Sequence, residues 1–61
     1  SFSRYLTQVR MEKAKELLES GQFNVNEVSA RTGYKSSQYF SITFRRYMGY
    51  SPSEAEAHKG E

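Results

Sequence analysis

Residues 24–49, NVNEVSARTGYKSSQYFSITFRRYMG, decide the fold of this 61-residue chain. They predict two helices joined by a short turn. Asn24 and Glu27 have the capping-box spacing for the first helix, and Ser36 or Ser37 can cap the second. Gly33 and Gly49 supply the stops. Apolar or small residues recur every three or four positions on one side of each helix, so these sides are expected to pack together. They are Val25, Val28, Ser29 and Thr32 in the first helix, and Phe40, Phe44 and Tyr47 in the second.

The flanking segments predict two more helices. Residues 1–19 contain no Pro or Gly and are followed by Ser20-Gly21, which predicts one long helix that links into the central pair. Residues 51–58 begin with Ser51-Pro52, a cap followed by Pro in the first helical position, and predict a short terminal helix with little to bury. No segment shows a strand pattern. The predicted fold class is therefore all-α: a long linking helix (1–19), a helix pair (24–49) and a short C-terminal helix (51–58).

The long first helix carries two apolar sides at about 100° per residue, rotated by roughly 140° from each other. One side covers the core of the following helices, and the other points elsewhere. Either this second side packs on a neighbour absent from the chain, or the helix bends and packs it loosely on the same unit. A helix of about 27 Å overshoots such a small core, which favours the neighbour. The first side consists of Met11, Ala14, Leu17 and Leu18; the second consists of Phe2, Tyr5, Leu6 and Val9.

The amino-acid composition argues against an enzyme and against a metal-binding protein. The chain has no Cys, no Asp and a single His58, so neither a catalytic nucleophile nor a metal cluster can be assembled. We therefore expect no enzyme activity, no cofactor and no metal. We also expect a soluble cytoplasmic protein without a membrane partner, because no apolar run approaches the roughly 18 residues of a span and no leader is visible.

The charge is concentrated in the centre of the chain. The net charge is only +2, but residues 28–53 hold Arg31, Lys35, Arg45 and Arg46 and no acid. Such a stretch, interspersed with Tyr and Phe, is a candidate phosphate-facing surface. The alternative is a chance bias in a short window.

The short helix, the three-residue turn with Gly33 and the second helix form a helix-turn-helix pattern, in which the second helix enters the DNA major groove. Opposite its apolar side, this helix presents polar and basic side chains that suit base edges and phosphates. Lys35 in the turn lies where a phosphate would be met. The alternative is an ordinary polar face in solvent. The side chains on this opposite side are Ser37, Gln38, Ser41, Ile42, Arg45 and Arg46.

About 50 positions, in order and spacing, resemble the C-terminal part of the DNA-binding domain of AraC-type transcriptional regulators. The resemblance implies a linking helix followed by the second of two helix-turn-helix units, with the first unit absent. That unit would cover Phe2, Leu6 and Val9. The matching residues are Arg10-Met11, Ala14, Leu17-Leu18, residues 25–29, Gly33-Tyr34, residues 37–41, residues 44–47, Gly49 and Ser51-Pro52.

The resemblance also implies site residues in the recognition helix, about residues 37–48. Base contacts fall on Ser37, Gln38, Ser41 and Ile42. Phosphate contacts fall among Lys35, Ser36, Thr43, Arg45 and Arg46. This sequence departs from the family at Ile42, where many members carry a long polar or basic side chain, at Ser29 in place of Ala, and at Ala55 and Glu56, where an aromatic and then a basic residue are common.

Two functions follow as hypotheses. The first is sequence-specific binding of double-stranded DNA by a transcriptional regulator. The alternative is a protein-interaction module that docks RNA polymerase or another regulator domain, through the Tyr-rich helix of residues 37–48 or through Phe2, Leu6 and Val9. The same exposed apolar face would favour self-association of the isolated chain.

Overall fold

The computed structural model describes residues 1–57, and these form four helices with no strand among them. The helices are α1 (Phe2–Ser20), α2 (Val25–Arg31), α3 (Ser37–Met48) and α4 (Pro52–Ala57). The expected all-α class is confirmed, and the helix bounds agree with the sequence prediction to within one or two residues. His58, which was assigned to the terminal helix, lies outside the described residues.

Side-chain caps and left-handed glycines set these bounds. The Glu27 N–H donates to Asn24 Oδ1 at 2.8 Å, and the Asn24 N–H donates to Glu27 Oε1 at 3.0 Å, which completes the capping box of α2. Ser36, not Ser37, caps α3 by accepting from the Tyr39 N–H at 3.3 Å. Gly49 ends α3 with φ of 88°, a conformation that is costly for residues with a Cβ.

The core lies where the four helices meet. Among the described residues, a cluster of seven apolar side chains is fully or almost fully buried there, Pro52 is buried as well, and two polar side chains of α2 and its C-terminus are buried beside them. The polar pair is hydrogen-bonded within its own helix, since the Ser29 hydroxyl donates to the Asn26 carbonyl and the Thr32 hydroxyl donates to the Val28 carbonyl, both at 2.8 Å. The apolar set is Met11, Ala14, Leu18, Val28, Phe40, Phe44 and Ala55.

The assignment of Tyr47 to the core is wrong: its side chain is 44% exposed. The chain reverses after Gly49 and brings Tyr50 onto Phe44, with an edge-to-face ring contact at 5.6 Å. Met48 and Tyr50 pack partly buried against the core. Tyr47 therefore lies beyond the edge of the core, although helical spacing aligns it with Phe40 and Phe44.

The expectation that the terminal helix has little to bury is also wrong. Pro52 is fully buried, Ala55 is 1% exposed, and α4 lies against α1. The physical reason is size: small side chains give a weak hydrophobic signal in a sequence, yet they allow two helix backbones to approach closely and exclude water between them.

The two apolar sides of α1 have different environments. Met11, Ala14 and Leu18 are completely buried, whereas Phe2 is 75% exposed and Val9 is 44% exposed. No bend folds the second side onto the same core. This part of α1 consequently presents an uncovered apolar surface.

We expect Phe44→Ala to abolish cooperative folding. Deleting a buried Phe side chain costs about 3–5 kcal/mol, comparable to the whole stability of a domain of this size. Circular dichroism at 222 nm during urea unfolding measures the effect. The matched control is Tyr47→Ala, which should keep a cooperative transition close to that of the unmodified chain. Equal losses in the two variants would contradict the placement of Tyr47 outside the core.

Candidate nucleic-acid interface

The rotation of α3 is fixed by Phe40 and Phe44, both 0% exposed. At 3.6 residues per turn, Arg45, Gln38 and Ile42 lie about 120° to 180° around the helix from the direction of these two rings. All three are exposed. We call Gln38, Ile42 and Arg45 the outer face of α3.

The four predicted base-contact residues occupy two kinds of position. Gln38 is exposed and Ile42 is 56% exposed, so both side chains are accessible to a ligand. Ser41 is half-buried at the rim of the outer face, about 80° around the helix from the direction of the two rings. Ser37 is half-buried about 40° from that direction, so it lies on the core side of α3 and not opposite the rings as expected. Gln38 and Ile42 are therefore more accessible to a ligand than Ser37 and Ser41.

The predicted phosphate-contact residues lie at both ends of α3 and along one side of it. Lys35 and Ser36 are exposed in the turn before the helix, and Arg45 and Arg46 are exposed in its last turn. Thr43 is half-buried, and its hydroxyl donates to the Tyr39 carbonyl at 3.0 Å. The Thr43 proton is therefore already in a hydrogen bond. The Ser36 hydroxyl accepts a hydrogen bond in its cap and donates none to any other described residue.

Three of these five residues line one cleft between α1 and α3. We call it the α1–α3 cleft. Arg46 is not in this lining but joins Thr7, Thr43 and Tyr47 in an adjoining groove, and Arg45 lines neither. The described residues that line the α1–α3 cleft are Thr7, Arg10, Gly33, Tyr34, Lys35, Ser36, Tyr39 and Thr43.

Sequence reasoning missed Arg10 in this cleft. Its guanidinium lies 5.6 Å from the centroid of the Tyr34 ring, a cation–π contact between the linking helix and the turn. Its atoms also lie 3.5–3.6 Å from where a Cβ on Gly33 would be, so the bare glycine borders the arginine. Arg10 belongs to the motif that carries the family resemblance, but nothing local in the sequence indicates a contact with residues 23 or more positions away.

The cations of the central segment differ in their surroundings. Within residues 1–57 the one ion pair joins Lys13 Nζ and Glu16 Oε1 at 4.0 Å on the exposed surface of α1. Lys35, Arg45 and Arg46 accordingly have no carboxylate partner among those residues. Arg31 instead lies over the Phe23 ring at 4.3 Å.

The described residues contain no group of three or more His, Cys, Asp or Glu side chains that could hold a metal ion. Separately, none of the four helices over residues 1–57 is long and apolar enough to cross a membrane.

The chain is similar to known helix-turn-helix transcriptional regulators. The model of a helix-turn-helix domain family matches residues 1–58. Relatives include the HTH-type transcriptional activator RhaR of Yersinia pseudotuberculosis and of Yersinia pestis, 39% identical over 54 residues, which are 88% of this chain and 19% of those proteins. The HTH-type transcriptional regulator GadX of Escherichia coli K12 is also 39% identical over 54 residues, 88% of this chain and 20% of that protein.

The chain spans about a fifth of the length of these curated relatives. No solved structure matches it significantly. The family match covers almost the whole sequence, and the four helices of residues 1–57 are consistent with a helix-turn-helix domain. The chain therefore belongs to the AraC-type family of helix-turn-helix transcriptional regulators.

Proposed function

We propose that the chain binds double-stranded DNA sequence-specifically, with α3 as the recognition helix in the major groove. One observation carries the proposal: the burial of Phe40 and Phe44 turns Gln38 and Ile42 outward on a helix whose segment, residues 28–53, has four cations and no acid. A major groove of B-DNA admits one α-helix, and an acid-free surface avoids repulsion by its phosphates.

Base discrimination rests on the outer face and its rim. The Gln38 amide has both donors and an acceptor, which allows paired hydrogen bonds to an adenine edge. Ile42 offers an apolar contact to a thymine methyl group in the position where many family members carry a polar chain. Ser37 and Ser41 are short and half-buried, so they reach only bases that lie close to the helix axis.

Phosphate contacts fix the register of α3 on the duplex. Lys35 and Ser36 approach the backbone at the start of the helix, and Arg45 and Arg46 approach it at the end. Such contacts supply affinity and orientation without reading sequence. The Thr43 hydroxyl proton is already donated to the Tyr39 carbonyl, so Thr43 can lie beside a phosphate but does not donate to it.

The uncovered side of α1 fits a second part of the same regulator. Phe2 and Val9 are exposed, Leu6 is half-buried, and the family resemblance places another helix-turn-helix unit against the linking helix. A single unit has a small interface, so we expect the chain alone to bind DNA weakly. Contact with RNA polymerase, self-association of the chain and a cytoplasmic location remain predictions.

Replacing Gln38 by Ala should relax sequence preference. A well-formed bidentate contact contributes about 1–3 kcal/mol of base discrimination, so its loss should flatten one position of the preferred site. Selection from a random duplex pool, followed by fluorescence anisotropy on selected duplexes, measures this. Gln22→Ala, an exposed Gln in the loop before α2, is the matched control and should leave the preferred sequence unchanged. An unchanged preference in the Gln38→Ala variant would exclude Gln38 from base readout.

Replacing Arg45 and Arg46 together by Gln should reduce the salt dependence of binding. Two lost phosphate contacts lower the slope of log K against log salt by about 1.8, so the variant should lose about 12-fold less affinity between 50 and 200 mM salt. The control pair, Lys13→Gln with Lys15→Gln on α1, removes the same charge and should keep the original slope. Equal slopes in all three proteins would exclude Arg45 and Arg46 from phosphate contact.

The protein-interaction alternative predicts a different result. The chain would bind a protein partner with an affinity that does not change with salt, and it would bind no duplex at 50 mM salt.

A further inference from the structure

We propose that the α1–α3 cleft holds one DNA phosphodiester and that Arg10, from the linking helix, is its principal cation. This inference rests on the proposed function, since it requires α3 to lie on a duplex. The phosphate contacts predicted from the sequence all lie within residues 35–46. Arg10 adds a phosphate contact from outside the helix-turn-helix segment.

The chemistry of the cleft is that of an anion site. The eight described residues of its lining include Arg10 and Lys35 and no carboxylate. Within residues 1–57 neither cation forms an ion pair. A phosphodiester supplies the missing negative charge, and the guanidinium fork can donate two parallel hydrogen bonds to its oxygens.

Arg10 is positioned before any ligand arrives. It is half-buried, its guanidinium lies over the Tyr34 ring at 5.6 Å from the centroid, and its atoms lie 3.5–3.6 Å from where a Gly33 Cβ would be, which is ordinary van der Waals contact. Tyr34 is in turn held by its own N–H, which donates to the Ser29 carbonyl at 2.9 Å. A cation that is already ordered loses less conformational entropy on binding than an exposed lysine does.

The hydroxyl groups of the cleft differ in whether their protons are already used in a hydrogen bond. The Thr7 hydroxyl donates to the Ser3 carbonyl at 3.0 Å, and the Thr43 hydroxyl is committed to the Tyr39 carbonyl. Among residues 1–57 the Ser36 hydroxyl accepts from the Tyr39 N–H and donates no hydrogen bond of its own. The phosphate is therefore bound by Arg10 and Lys35, and the neutral donors in the same lining are the hydroxyls of Ser36, Tyr34 and Tyr39.

The position of the cleft agrees with the placement of α3. Helical spacing puts Tyr39, Thr43 and Arg46 on the side of α3 that adjoins the outer face. Two of them line the α1–α3 cleft, and Arg46 lines the groove that continues from it. When the outer face lies against base edges, this side of α3 faces the phosphate strand that borders the groove.

The test compares salt dependence of duplex binding by the 61-residue chain, measured by fluorescence anisotropy. Arg10→Gln should lower the slope of log K against log salt by about 0.9, so that it loses about 3.5-fold less affinity than the unmodified chain between 50 and 200 mM salt. Arg10→Lys, which keeps the charge, should retain the original slope. Lys15→Gln, an exposed charge on α1 outside the cleft, is the matched control and should also retain it.

A second measurement keeps the inference testable if Arg10→Gln fails to fold. In the unmodified chain labelled with ¹⁵N, the Arg10 side-chain Nε–H signal should shift when a duplex is added. An unshifted signal, or an unchanged slope in a folded Arg10→Gln variant, would overturn the role of Arg10 while duplex binding by the chain still stands. Failure of the unmodified chain to bind any duplex at 50 mM salt would instead overturn the proposed function itself.

Discussion

Phe40 and Phe44 pack against the buried side of α1, and this packing holds α3 in place on the core. Both rings are 0% exposed, as are Met11 and Leu18. Together with the buried Val28 of α2, they fix α3 at one rotation about its axis. Turning α3 would bury the charged Arg45 or the amide of Gln38, which costs several kcal/mol without partners. Core packing therefore determines which side chains the helix presents outward.

A row of aromatic rings extends this constraint from the core to the turn. Tyr34 contacts Phe40 at 5.5 Å, Phe40 contacts Phe44 at 5.8 Å, and Phe44 contacts Tyr50 at 5.6 Å between ring centroids. Tyr34 also carries Arg10 on its ring. The turn between α2 and α3 is thus held by the same interactions that hold α3. Because Arg10 of α1 contacts the Tyr34 ring, this row of rings also fixes the position of Arg10 relative to α3.

Much of this arrangement follows from the sequence because its signals are local. The Asn24–Glu27 capping box, the Ser36 cap and the left-handed glycines each act within a few residues, and the helix bounds were predicted closely. Gln38 and Ile42 were assigned to the outward side from helical spacing alone, and they are exposed. Their contact with bases stays a prediction.

What the sequence did not reveal depends on contacts between distant segments. Tyr47 follows the apolar spacing of α3, yet the reversal at Gly49 brings Tyr50 onto Phe44 and leaves Tyr47 outside. Ala55 carries a weak hydrophobic signal, but it is buried because α4 lies on α1. Arg10 and Lys35 share a cleft only because the helices fold together, so no spacing rule could have paired them.

A structure of the chain bound to its selected duplex would show whether α3 reads DNA with its outer face. We expect α3 in the major groove, with the Gln38 amide within about 3.2 Å of a base-edge atom and Phe40 and Phe44 still buried. A complex in which α3 lies outside the groove and the duplex contacts another helix would contradict this expectation.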